Sequence, residues 1–139
     1  MQVTKFHFLL LLLLLSSAIY AGNKPQKNTA QKTVVVKINY GADRPEKTVN
    51  VAWFSSITAL AALQQAAETV THPVAEYVFV TGIDNVRAER GKTAWYYRVN
   101  GKAAKKLAIY QAVQAGDTVS WRFVKDICSP KVDNKCSDK

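Results

Sequence analysis

Residues 94–104 read AWYYRVNGKAA, and no other stretch of the chain carries so strong a local signal. Trp95, Tyr97 and Val99 alternate with Tyr96 and Arg98, the period of two that sends one set of side chains into a core and the other into solvent. Asn100-Gly101 then supplies two residues that tolerate the positive φ of a tight hairpin turn. Further on, Gly116-Asp117 makes another turn and opens TVSWRFV (118–124), where Val119, Trp121 and Phe123 face one way and Ser120 and Arg122 the other. On the N-terminal side, TVVVKINY (33–40) alternates in the same manner, with Val34, Val36, Ile38 and Tyr40 inward and Lys37 and Asn39 outward. Gly41 to Pro45 form a turn, and KTVNVAW (47–53) returns with Val49, Val51 and Trp53 inward and Thr48 and Asn50 outward, so the two runs predict a hairpin.

Between these strands, Ser55 or Ser56 is the expected cap of a helix whose Ile57, Leu60, Ala61, Leu63, Ala67 and Val70 recur at helical spacing. The helix is expected to end before His72-Pro73. A short strand around Tyr77 to Val80, a turn at Asp84-Asn85 and a charged stretch from Arg87 to Lys92 follow. The expected core is Val34, Val36, Ile38, Val49, Val51, Leu60, Leu63, Trp95, Val99, Val119 and Trp121. Strands with one apolar face and a single helix predict an α+β domain, a sheet crossed by that helix on one side.

The 139 residues are 48% apolar and 21% charged, room for one globular domain. Residues 1–21 have the three parts of a secretory signal: Lys5 in a short polar start, seven leucines from Leu9 to Leu15, and small residues leading to Ala21. The run from Phe8 to Ala21 is shorter than the roughly 20 apolar residues of a membrane span, so no transmembrane anchor is expected after cleavage. Cleavage after Ala21, or alternatively after Ala18, would place the protein in the periplasm or outside the cell. Residues 22–32 hold three lysines and no large apolar group and form a flexible basic leader. The domain itself is expected over 33–124, with a tail at 125–139. An oxidising compartment favours a disulfide between Cys128 and Cys136 in that tail. A redox pair or half of a metal site is the alternative, without CxxC spacing or a nearby histidine to support it.

The order strand, strand, helix, strands resembles the β-grasp, or ubiquitin-like, fold, with a mixed four- to five-stranded sheet and one helix packed across one face. More specifically, Trp95 to Gly101 (WYYRVNG), Ala115 to Val119 (AGDTV) followed by Trp121, Trp53 with Thr58-Ala59-Leu60, and the Ile83 to Val86 turn (IDNV) together resemble the small β-grasp domain of the transcobalamin C-terminal-like family. The resemblance covers about residues 33–124. It implies an exported binding domain. In the vitamin B12 carriers of that family the corresponding domain closes over one side of a bound corrin, and a lone domain offers one wall of such a site.

The residues themselves exclude most enzyme classes. His72, the one histidine after the signal segment, precedes a proline and has only Glu68 and Glu76 near it in sequence, which satisfies none of the geometric roles of a catalytic site. GxSxG, P-loop, HExxH and paired-cysteine zinc patterns are absent, so neither catalysis nor a cofactor or metal is expected. In a β-grasp arrangement the first and last strands lie side by side with the Trp95 strand next to the last. Lys37, Asn39, Tyr96, Arg98, Ser120 and Arg122 then share the uncovered face, and with Asn100 they are the candidate ligand-binding residues. Three cations without an acidic neighbour would favour an anionic or amide-rich small molecule, with Tyr96 as a flat surface. The alternative is docking on an envelope protein or anionic surface through the basic run of Arg87, Arg90, Lys92, Lys102, Lys105 and Lys106, consistent with a formal charge of +9. Nucleic acid is disfavoured, because no recognition motif is present and Trp95 and Tyr97 face the core. A monomer is expected.

Overall fold

A computed structural model of the chain describes residues 31–128. The expected signal, nearly all of the basic leader, and the tail from 129 onward, Cys136 and its expected bridge included, lie outside the described residues. Among the described residues, eight strands and one helix run in the order β1 (Thr33–Asn39), β2 (Lys47–Ala52), α1 (Ala59–Ala66), β3 (Thr69–Val74), β4 (Tyr77–Ile83), β5 (Val86–Arg87), β6 (Thr93–Val99), β7 (Lys102–Ala103) and β8 (Thr118–Lys125).

Five strands form a mixed sheet in the order β2-β1-β8-β6-β7. Strands β1 and β8 pair in parallel with Lys37 opposite Ser120, while β6 runs antiparallel to β8 with Tyr96 opposite Arg122. The parallel pairing of the first and last strands closes the domain and needs a long connection, which the rest of the chain supplies. Along β1 the alternation is complete: Val34, Val36 and Ile38 are fully buried, and Tyr40 just beyond the strand is buried too. Val51, Leu60, Leu63, Trp95, Val119 and Trp121 join them, whereas Val49 and Val99, expected in the core, are half-buried at its margin.

Turn chemistry follows the residues. Asn100 and Gly101 both take positive φ (50° and 76°) between β6 and β7, and Asp84 and Asn85 do the same (45° and 71°) between β4 and β5. These left-handed pairs match the right-handed twist of the flanking strands.

The helix departs from expectation at both ends. Its cap is Thr58, not Ser55 or Ser56: the Thr58 hydroxyl accepts the Ala61 N–H at 3.2 Å. The start is fixed downstream because Ile57 is fully buried and its carbonyl accepts the Val113 N–H at 3.0 Å. The helix stops at Ala66, with Ala67 already extended, so Val70 lies in a strand. The β-branched run Thr69-Val70-Thr71 favours extended backbone over another helical turn. His72-Pro73 accordingly sits within β3 rather than in a loop; β3 is an edge strand, where the missing proline N–H is tolerated.

The single-helix cover is also corrected. Strands β3, β4 and β5 form a second, three-stranded sheet, and Trp95 Nε1 donates to the Val86 carbonyl at 3.2 Å, tying β6 to it. A segment around Ala108 and Val113, both buried, bonds to the start of the helix through Leu60 N–H to Ala108 O and Ala59 N–H to Gln111 O. An eight-residue helix is too short to cover the inner face alone, and these two elements complete the layer.

Candidate functional site

The face of the five-stranded sheet opposite the core is set by register. Lys37, Ser120 and Arg98 lie in one cross-strand row, and Asn39, Arg122 and Tyr96 in the next. The parity of three strands decides this: even-numbered core residues on β1 and odd-numbered ones on β6 and β8 leave these six pointing the other way. Directly opposed side chains in such rows sit about 5 Å apart and diagonal ones about 7–8 Å, so Arg98 and Arg122 flank a common space.

Lys37, Arg98 and Arg122 are exposed. Among the described residues neither Lys37 nor Arg122 has an ion pair or a side-chain hydrogen bond, and Arg98 makes one weak bond from Nη1 to the Gly101 carbonyl at 3.3 Å. Tyr96 is held edge-fixed by its hydroxyl, which donates to Asp126 Oδ1 at 3.2 Å and receives the Ile127 N–H at 3.4 Å. Burial, the adjacent Cys128 side chain and the Asp126 carboxylate push its phenol up to about 12. Asp126 is itself buried and accepts the N–H groups of Gly91 and Cys128, both at 3.0 Å, so the end of β8 is tied down beside Tyr96.

Two depressions share Arg98 and Arg122. The larger, about 480 Å³, is lined by Tyr96, Ala103, Ala104, Val124, Ile127 and Lys125. The smaller, about 220 Å³, is lined by the polar side chains of Lys37, Asn39, Ser120 and Glu46 together with Trp121. The expectation that the three cations lack an acidic neighbour is therefore corrected: Glu46, from the turn before β2, brings a carboxylate to the same hollow, and its position could not be read from alternation because it precedes the strand. Val124 belongs to the outward parity of β8 and was legible; Ile127 follows the last strand and left no periodic signal.

Two candidate ligand residues carry structural duties. The Asn100 amide donates to Asp117 Oδ1 at 2.8 Å and its oxygen accepts the Thr118 N–H at 2.9 Å, bracing the hairpin against the start of β8. The Asn39 side chain accepts the Gly41 N–H at 2.9 Å and shapes the turn after β1.

The basic run is distributed. Arg87 is on β5 of the smaller sheet, Arg90 and Lys92 lie in the loop before β6, where Lys92 pairs with Glu89 at 2.6 Å, and Lys102 is on β7 with Lys105 and Lys106 just after it. All six are exposed. His72 is exposed on β3 opposite Phe79. Cys128 is exposed at the end of the described residues. Among the described residues no group of three or more His, Cys, Asp or Glu is gathered as for a metal ion, and no helix is long and apolar enough to cross a membrane.

The fold has counterparts among solved structures. A candidate metal binding protein from Ruminococcus gnavus ATCC 29149 superposes with a TM-score of 0.59 at 15% identity, over 69% of this chain and 99% of its own. Haptocorrin in complex with Cbi superposes with a TM-score of 0.61 at 15% identity over 70% of this chain, which corresponds to 26% of the haptocorrin chain. At that identity the likeness is one of fold. None of the curated proteins compared matches the chain. The model of the family described as Domain of unknown function (DUF4430) matches residues 56–125, half of the chain and everything from the turn before α1 to the end of β8, and the chain belongs to that family.

Proposed function

We propose that the protein is an exported, non-enzymatic binding domain of the β-grasp type that holds a small anionic or amide-rich molecule against the open face of its five-stranded sheet. One observation carries this reading: Lys37, Arg98 and Arg122 stand in two adjacent cross-strand rows beside the fixed ring of Tyr96, with little to neutralise them but Glu46. Cations next to a fixed, flat aromatic surface favour a ligand that brings negative charge or carbonyl oxygens together with planar area. The likeness to haptocorrin, seen in complex with Cbi, supports a corrin-like ligand as the first candidate. The leucine-rich start of the chain supports export, and with it a bridge between Cys128 and Cys136 that would hold the tail near Tyr96.

The test is calorimetric and spectroscopic titration with cobalamin. Saturable heat and a shifted visible spectrum are expected, both lost in Arg98→Glu and weakened in Tyr96→Ala. The absence of any binding at millimolar cobalamin removes the corrin version. Binding that survives Arg98→Glu and Arg122→Glu together removes the open face as the site.

A further inference from the structure

The two depressions differ in chemistry, and the difference has a direction. On the side of β7 and the end of β8, Ala103, Ala104, Val124 and Ile127 bring apolar groups to the recess that Tyr96 lines, and Lys125 lines it as well. Ile127 is 59% exposed, a large aliphatic side chain standing in water at the rim. On the side of β1, Lys37, Asn39, Ser120 and Glu46 bring polar groups to the smaller hollow, which Trp121 also lines. Arg98 and Arg122 line both, at the boundary.

We infer that this face takes an amphipathic anion: an apolar body lying over Tyr96 between Ala104, Val124 and Ile127, and a single anionic head held by Arg98 and Arg122 with Lys37 behind them. This deepens the open-face reading above and rests on it. Charge complementarity selects the head. Four cations, Lys37, Arg98, Arg122 and Lys125, against the one carboxylate of Glu46 leave a positive surplus that favours an anionic head, and two guanidinium groups can each offer a fork of donors to a carboxylate or sulfonate. Apolar area selects the body. A purely hydrophilic anion leaves Ile127 and Val124 in water, whereas an alkyl or aryl group removes them from it. Size selects a free molecule over a bilayer: a recess of about 480 Å³ lies within the roughly 300–1,000 Å³ of small-molecule sites.

The experiment uses the chain as purified from an exporting host, titrated by calorimetry with acetate, hexanoate and octanoate, with octanol, and with vesicles of zwitterionic and anionic phospholipid. Octanoate is expected to bind saturably and hexanoate more weakly, by up to about fourfold per methylene removed if each becomes fully buried. Acetate should give no saturable heat, octanol should be at least tenfold weaker than octanoate, and vesicles should capture no protein. Arg122→Gln should weaken octanoate at least tenfold. Ile127→Ser, a change at an exposed position, should flatten the dependence on chain length.

Equal affinity for octanol and octanoate, no dependence on chain length, or capture by vesicles in place of the free acids overturns the inference. Cobalamin binding that depends on Arg98 while octanoate does not bind overturns it and leaves the open-face reading standing. Octanoate binding unchanged by Arg122→Gln and by Arg98→Gln overturns both.

Discussion

The hydroxyl of Tyr40 donates to Oδ2 of Asp84 at 2.6 Å, joining the end of β1 to the turn between β4 and β5. Lys47 Nζ reaches the same oxygen at 2.8 Å, and Oδ1 accepts the Glu68 N–H at 3.0 Å. One carboxylate therefore collects three donors from three parts of the chain and fastens the larger sheet to the smaller. The Tyr40 ring is buried, meets Trp95 edge-on at 5.9 Å and carries Arg44 over its face at 4.8 Å. Asp84→Ala should cost about 2–3 kcal/mol, because it strands the Tyr40 hydroxyl and the Glu68 N–H as well as removing their acceptor. Tyr40→Phe should cost about 1 kcal/mol. Lys47→Met should cost less than about 1 kcal/mol, since that side chain is partly exposed and the ion pair is screened by water. Urea unfolding of the three variants checks the ranking.

The same carboxylate sets an acid limit. Burial by itself would raise the Asp84 pKa, but the hydrogen bonds from Lys47, Tyr40 and the Glu68 N–H outweigh it and hold the group below its ordinary 3.8. A folded-state value lower than the unfolded one means that the stabilisation is complete above the ordinary value and is lost as pH falls through the folded one. The stability gap between the parent and Asp84→Asn should be constant from neutral pH down to about 4 and narrow below it, as read by urea unfolding across pH. A gap that does not change with acid argues against the carboxylate as the fastening group.

At the alkaline end Tyr96 behaves in the opposite sense. Its phenol is pushed from 10.0 to about 12, so its neutral form is favoured by folding, and that contribution is present below 10.0 and disappears as pH rises toward 12. Phenolate absorbance followed through an alkaline titration should lose one late-ionising group in Tyr96→Phe. If the missing group titrates at 10.0, the environment assigned to Tyr96 beside Asp126 and Cys128 is wrong.

Asn100 offers a separation of roles. Its amide is engaged with Asp117 and the Thr118 N–H, and its φ of 50° is one that asparagine adopts more readily than other residues with a side chain. Asn100→Ala should lower stability by about 1–2 kcal/mol through the lost side-chain bonds and the strained turn. Binding on the open face should be unchanged in the surviving folded protein. A large loss of affinity without loss of stability would return Asn100 to the ligand-contacting set.

Strands were legible wherever alternation ran for five or more residues between turn signals, as in β1, β2, β6 and β8, and so was the sharing of one face by Lys37, Arg98 and Arg122. The helix was misjudged at both ends. Apolar spacing cannot tell Ala67 and Val70 in one more helical turn from Val70 in a strand, and here the β-branched Thr69 and Thr71 decided for the strand. Its cap depended on Val113 and Ala112, more than fifty residues downstream, which hold Ile57 and Thr58 in place.

Local order in this chain came from the sequence alone: side-chain parity along each strand, and left-handed turns where Asn-Gly and Asp-Asn allow them. Both are short-range properties of covalent geometry and solvation, so they survive without knowledge of partners. The second sheet under Trp95, the three donors gathered on Asp84, and the meeting of Glu46 and Ile127 at the margins of one face required tertiary structure. Each joins residues far apart in the chain, and such contacts are chosen by how the remaining apolar area is covered, which no window of sequence contains.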